Sequence, residues 1–546
     1  MGLTKATNRM IEGASVNVKD FGVIGDGTTD DTVAFQAAIT HAEITDAEVQ
    51  IASDVNIKIT AAITHSCNIR SNGGVITVVI SDASTYPYAL QSGGNVKGLV
   101  MDGVGSVTGV GAIQTTAAGL TIEDCSITNF YSMAVYALTT DNYLRNLYVN
   151  LCGRYPDKAS IYTQSGGTVE SCTVKNSRYK ALVAGQSSTK VSFLNNRVEG
   201  TTGAASEPMY FSYFSTDGIM QGNTCLGGEP GNDIKVSKST ERHRIIDNNC
   251  EGGIFSQGGT DNLLANNIAS SMTVASHITG STLVPDTGAR VINNVCTAGI
   301  LIGVTGLGEV NNVVVKGNKC TAISGYGSFF NSYIDSNVCT SIFVQVDKTV
   351  SAATDGPVYV TNNVVNFASG VGVTVRGALF GINDELLKGV VTGNYIEGPG
   401  SATASTVGIN CLAATGLTIE NNIIEACVTG VILQRLRQLS LRNNTAKNDV
   451  TDGYSLLECN SGTYWPGSDF VVENNLGTLD YALTSRIPTY YLSEREKYAG
   501  AAPTTGWHKR GEYRLDSTPT AGGTMGWVCT TDGTPGTWKT FGAITA

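Results

Sequence analysis

Residues 418–424 read TIENNII and residues 359–365 read YVTNNVV: two or three apolar residues, a polar pair ending in Asn, then a second short apolar stretch. The phrase returns as SFLNNRV (192–198), IMQGNTC (219–225), IIDNNCE (245–251), LLANNIA (263–269), VINNVCT (291–297), VVKGNKC (314–320), YIDSNVC (333–339), VVTGNYI (390–396), SLRNNTA (440–446) and VVENNLG (471–477). Its closing Asn falls at Asn196, Asn223, Asn249, Asn267, Asn294, Asn318, Asn337, Asn363, Asn394, Asn422, Asn444 and Asn475, and degenerate copies precede it at Cys125, Leu147 and Cys172. Successive copies are about 25 residues apart, the length of one coil of a parallel β-solenoid. Asn suits the corner because it tolerates the left-handed conformation and its amide can bond to the Asn of the next coil, forming a ladder. Cys225, Cys250, Cys296, Cys320 and Cys339 follow the corner by one or two residues and are expected to stack inside as small polarizable groups.

About ten residues beyond each corner comes another apolar strand, as in KALVAG, PMYFSYF, NDIKVS and GVILQ, which predicts the long sheet of the stack. At about 4.8 Å per strand, fifteen coils predict a shaft of roughly 70 Å. The composition agrees with this all-β reading. The chain has 546 residues, 64 of them Gly, and only 15% are charged, which suits many tight turns better than solvated helices. A net charge of −11 argues against nucleic acid and anionic membrane as partners. No apolar run is long enough to span a membrane, and no apolar core follows Lys5 and Arg9 as a secretory signal requires. Thirteen cysteines, an odd number without a CxxC pair, match neither a disulfide framework nor a zinc motif, so no metal or cofactor is expected. The Gly-rich GVIGDG lacks phosphate-loop spacing.

A stack of coils leaves open ends that must be covered. TTDDTVAFQAAITHA carries Val33, Phe35 and Ile39 at helical spacing, which predicts a helix over about 30–42 laid across the first coil. Asp26, Asp30 and Asp31 are read there as turn and N-cap residues. The segment VNVKDFGVIGDGTTDDTVAFQAAI (16–39) closely resembles the opening of the pectate-lyase-like right-handed β-helix superfamily, especially the tailspikes and capsule depolymerases of tailed bacteriophages. ATNRMIEGA (6–14) resembles the linker that joins a virion anchor to such a β-helix. The resemblance implies a right-handed parallel β-helix over 16–484, with residues 1–15 as a linker to a missing or very short anchor, from a naturally short spike or a fragment. It also implies a homotrimer carried on the phage tail or baseplate, a virion protein acting at the host cell surface. After Asn475 the composition shifts. Residues 485–546 hold Trp507, Trp527 and Trp538 between turn clusters, which predicts a separate small β module; TAGGTMGWVCTTDGTPGTWK (520–539) resembles a tail module of phage spikes.

Glycoside cleavage needs two carboxyl groups about 5–9 Å apart. Glu207 lies 11 residues after Asn196 and Asp233 lies 10 after Asn223, which predicts matching angular positions on adjacent coils. Asp217 sits in the next turn, Glu229 in the loop before Asp233, and Glu241-Arg242-His243 after it. The catalytic candidates are therefore Glu207, Asp233, Asp217 and Glu241. Alternation in NDIKVS points Ile234 and Val236 inward and Asp233 and Lys235 outward. Tyr136, Tyr162, Tyr210, Phe255 and His277 are expected on the same outer face, and with Lys235, Arg242 and His243 they supply the candidates for holding a sugar. Asp384-Glu385, after Arg376 in a long insertion, reads as a second groove wall or a site at the subunit boundary, whereas Glu420, Glu425 and Glu473 read as solvated corners. The expected activity is recognition and hydrolysis of a bacterial surface polysaccharide, capsule or O-antigen. Two alternatives stay open: a lyase on a uronic-acid polymer, with Lys235 or His243 as base, and a non-catalytic adhesin. The paired Asp and Gly-His pattern of polygalacturonases is absent, which counts against pectin.

Overall fold

The computed structural model describes residues 14–81, 88–104, 109–154, 158–201, 207–227, 232–279, 282–284, 286–303, 309–346, 356–377, 387–400, 405–436, 438–447, 452–457, 470–476, 479–480, 498–505, 508 and 510–545. It comprises two units, Met1–His277 and Ile278–Ala546.

In the first unit, strands of two to five residues pair in parallel with their counterparts one coil further on, and three such series make up each turn of a right-handed parallel β-helix. Period-two alternation sends one residue of each short strand inward. Leu182, Met209, Ile234 and Ile254 therefore line up on one interior wall, Val169, Phe193, Met220 and Ile245 on a second, and Val174, Val198, Cys225 and Cys250 on the third. All of these are buried, each aliphatic side chain contributing about 1.5–3 kcal/mol.

The corner divides its work between the two residues of the polar pair. The first adopts the left-handed conformation, as at Asn195 (φ 54°), Asp247 (φ 57°) and Asn266 (φ 56°), with Gly222 serving in the same role. The second is buried and forms the ladder. The side-chain amides of Asn196, Asn223 and Asn248 donate to Asn223, Asn248 and Asn267 at 2.9–3.0 Å. Each Oδ1 also accepts the main-chain N–H of the preceding rung, and each amide reaches a strand carbonyl, so every polar atom is satisfied. One expected rung is corrected: in IIDNNC it is Asn248, while Asn249 is exposed at the start of the next strand. The interior register decides this, because Cys250 must align with Cys225, which lies two residues after its own rung. Cys125, Leu147 and Cys172 occupy the rung position in earlier coils, buried and each preceded by a left-handed residue.

The helix runs over Thr32–Ile44 and packs on the strands Val16–Asn17, Val49–Ile51 and Ile63–His65. Phe35, Ala38, Ile39 and Ala42 face inward; Val33, expected with them, is 84% exposed. Asp30 supplies the capping bond to the Thr32 N–H. Asp31 instead turns back and accepts from the N–H groups of Ile24 and Gly25, which fixes the turn before it.

The second unit repeats the pattern. Its ladder runs through Asn294, Asn318, Asn337, Asn363, Asn394, Asn422, Asn444 and Asn475 with amide bonds of 2.9–3.0 Å. Ile300, Ile323, Ile342, Val373, Ile409 and Val431 form one interior wall. A separate four-stranded sheet, Tyr498–Ala499, Tyr513–Asp516, Thr524–Thr531 and Thr537–Ala543, has antiparallel pairing between its last three strands. Trp538 Nε1 donates to the Pro535 carbonyl there. Twelve cysteines are described; all are free, and eleven are buried.

Candidate functional site

The outward positions of one sheet in the first unit form a second ladder, on the opposite side of the strands from the apolar wall. Tyr136, Tyr162, Val183, Tyr210, Lys235 and Phe255 pair in register from coil to coil. Tyr136 and Tyr162 have centroids 5.2 Å apart, and Tyr162 packs on an outer apolar cluster of Ala159, Val183 and Tyr210. Gln164 donates to the Tyr162 hydroxyl at 2.8 Å. Gly185 makes room for that ring: a Cβ there would lie 2.3 Å from the hydroxyl oxygen. Tyr210 is buried deeply enough that its phenol is pushed up to about 12.

Charge is placed on this aromatic floor. Lys235 pairs with Glu207, and Lys180 approaches the same carboxylate at 4.0 Å. Lys180 Nζ lies 4.8 Å from the Tyr210 ring centroid, and Lys235 lies 5.8 Å from Tyr210 and 5.9 Å from Phe255. Each lysine keeps only 23% of its side chain exposed and Glu207 only 18%, so these charges are held in fixed positions. Lys180 is a member that sequence reasoning missed: alternation counted back from the inward Leu182 would turn it inside, but the N–H groups of Ala181 and Leu182 both donate to the Pro208 carbonyl, an irregularity that leaves Lys180 over the Tyr210 ring.

A second charged group sits at a neighbouring corner. Arg242 donates from Nε and Nη2 to Asp217 at 2.7 and 3.0 Å and from Nη1 to Glu241 at 2.6 Å. The guanidinium holds the Asp217 carboxyl below the usual carboxylate range. Asp217 and Arg242 are themselves left-handed corner residues, with φ of 57° and 56°.

Two expected members are turned away from this surface. Asp233 points inward: its strand shifts register between Asn232 and Ile234, and such a one-residue slip exchanges faces. Its carboxylate is buried against Cys225 and Cys250, accepts from the Gly252 N–H at 2.6 Å, and is pushed up to about 6 by burial. Glu207 and Asp233 therefore do not form a matched pair of outward carboxyls. His243 is fully buried and stacked on Phe211 at 4.3 Å. The Gly218 N–H donates to its Nδ1, so Nε2 carries the proton and donates to the Ser215 carbonyl. Burial lowers its pKa to about 4, which makes it a neutral core residue. His277 opens the strand His277–Thr279, but its side chain lies outside the described residues, as do Glu229, Asp384 and Glu385.

Residues 15–53 match the family described as rhamnogalacturonase A/epimerase, pectate lyase-like, the same segment that carries the resemblance noted in the sequence. No curated protein matches the chain. Among solved structures, the Dettilon tailspike protein is similar with 13% identity over 73% of this chain and 68% of its own, TM-score 0.37. Gene product 12 of bacteriophage phi29, in a pre-mature form, has 11% identity over 97% and 83%, TM-score 0.37. A double mutant of the tailspike protein of E. coli bacteriophage HK620 has 12% identity over 73% and 78%, TM-score 0.35. No residue role passes from them to this chain.

Proposed function

We propose that the chain binds a bacterial surface polysaccharide, capsule or O-antigen, along the outward ladder of the first unit and cleaves it. The observation that carries this reading is the register Tyr136–Tyr162–Val183–Tyr210–Lys235–Phe255: rings and one pinned ammonium are set out at coil spacing, offering stacking and ionic contacts to successive units of an extended polymer. Glycoside hydrolysis draws on the carboxyls that solvent can reach, Glu207 on the floor and Asp217 with Glu241 around Arg242. Asp233 and His243 serve the fold instead.

A lyase is the second reading, favoured by the lysines. Lys180 and Lys235 flank Glu207 over Tyr210, placing two ammonium groups where a uronate carboxylate would need neutralising. In that step a base removes the proton beside the carboxylate, the electron pair of that C–H bond closes the new double bond, and the glycosidic C–O bond breaks with its own pair leaving on the oxygen, which takes up a proton.

Purified capsule or O-antigen from a susceptible host separates these readings. Shortening with new reducing ends and no ultraviolet absorbance from unsaturated ends supports hydrolysis; appearance of that absorbance supports elimination. Retained binding without shortening leaves an adhesin. The same reading makes the chain a virion-borne homotrimer, for which light scattering should report three chains, and a single-chain mass counts against it.

A further inference from the structure

Most interior thiols of the first unit bond to the main chain. Cys125 donates to the Glu123 carbonyl at 3.2 Å and Cys172 to the Glu170 carbonyl at 3.3 Å. Cys225 and Cys250 are different, because they face each other across one coil spacing and the inward-turned Asp233 stands beside them. One sulfur of each thiol and one oxygen of the carboxylate all lie within 4.8 Å of one another, and the residues are 1%, 4% and 3% exposed. A buried carboxylate normally requires a cation or several donors. Among the described residues no cationic side chain pairs with Asp233, and the Gly252 N–H is its one main-chain donor. Asp31, equally buried, receives two such donors.

We propose that Cys225, Asp233 and Cys250 form a structural site for a divalent cation of the zinc class. A triangle no wider than this one encloses a point about 2.8 Å or less from every corner, and zinc bonds of about 2.3 Å to sulfur and about 2.0–2.2 Å to oxygen require only a small contraction. Two thiolates and a carboxylate suit a borderline-soft ion far better than calcium or magnesium. A water or a main-chain carbonyl completes the tetrahedron, and binding releases the two thiol protons to solvent. Linear spacing hides the site: Asp233 comes eight positions after Cys225, Cys250 comes seventeen after Asp233, and only the coil brings them together. The bulge that takes Asp233 off the outer face places it in this cluster.

The test uses the full chain, produced in zinc-supplemented medium and purified without chelator, with zinc or cobalt alone as the probe. The expected results are about one zinc per chain by mass spectrometry of the metal, and a thiolate-to-cobalt absorption band on exchange into cobalt. Cys250→Ala and Asp233→Asn should each lower the bound metal at least ~10-fold. Chelation should lower the melting temperature of the wild-type chain and leave that of Cys250→Ala unchanged. Folded wild-type protein that holds no metal and gives no cobalt band overturns the proposal, leaving thiols bonded to a carboxylic acid. Equal metal content in wild type and Cys250→Ala overturns it as well, assigning the metal to the surface. The cobalt spectrum needs no variant, so a substitution that fails to fold does not remove the test.

Discussion

The Asn corner and the outer ladder of the first unit lie on the same coils, yet one repeats chemically and the other does not. At the corner, each rung donates the same three bonds whatever the length of the coil behind it. On the outer face the side chain changes from one coil to the next: Tyr162, Val183, Tyr210, Lys235, Phe255. Repetition marks the positions that hold the stack together, and departures from it mark the positions free to contact something else.

The largest expected effect breaks the outer face and spares the corner. Glu207→Gln should slow polymer cleavage by about 10²–10⁴-fold while leaving the unfolding transition in place. Full activity in this variant would move the chemistry to the Asp217–Arg242–Glu241 corner, where Asp217→Asn and Glu241→Gln are the next substitutions. The reciprocal experiment breaks the corner alone. Asn223→Ala removes the partner of one Asn196 amide hydrogen, of the Asn196 N–H and of the Phe193 carbonyl, and should cost about 3 kcal/mol in denaturant unfolding.

Acid should reveal the interior side of the same coils. His243 is neutral in the fold, with a pKa lowered from 6.5 to about 4. Its contribution is complete above pH 6.5 and is lost as the pH falls from there towards 4, by about 3 kcal/mol. The wild-type chain should therefore lose more stability between pH 7 and pH 4 than His243→Phe does. A smaller effect belongs to the aromatic floor: Tyr162→Ala should weaken polymer binding by about 1 kcal/mol in calorimetry. The smallest is at the first residue of the polar pair, where Asn195 holds φ 54°; Asn195→Gly should change stability by less than about 0.5 kcal/mol.

The corner was legible in the sequence because its chemistry recurs: Asn at intervals of about 25 residues yields coils, rungs and an interior cysteine stack together. Where IIDNNC offers two Asn residues, the phrase alone picks the wrong one, since Cys250 settles the register from inside the helix. Counting from the rungs failed at Asp233 for a related reason. Coils differ in length, from 19 residues between Asn248 and Asn267 to 27 between Asn196 and Asn223, and one added residue reverses the face. The outward aromatics and Lys235 were found by strand alternation, which the bulge before Ile234 leaves intact from that residue onward. His243 gave no such signal, because a buried histidine and an exposed one look alike in a charged run; only the stack on Phe211 distinguishes them.

The ladder of the second unit spans coils of 19 residues, from Asn318 to Asn337, and of 31, from Asn363 to Asn394, without altering a rung bond. It is therefore a natural splice point. Two related chains recombined at equivalent Asn positions would both inherit complete rungs, so a whole outer face can be exchanged by recombination while the rung at the joint stays chemically the same on either side.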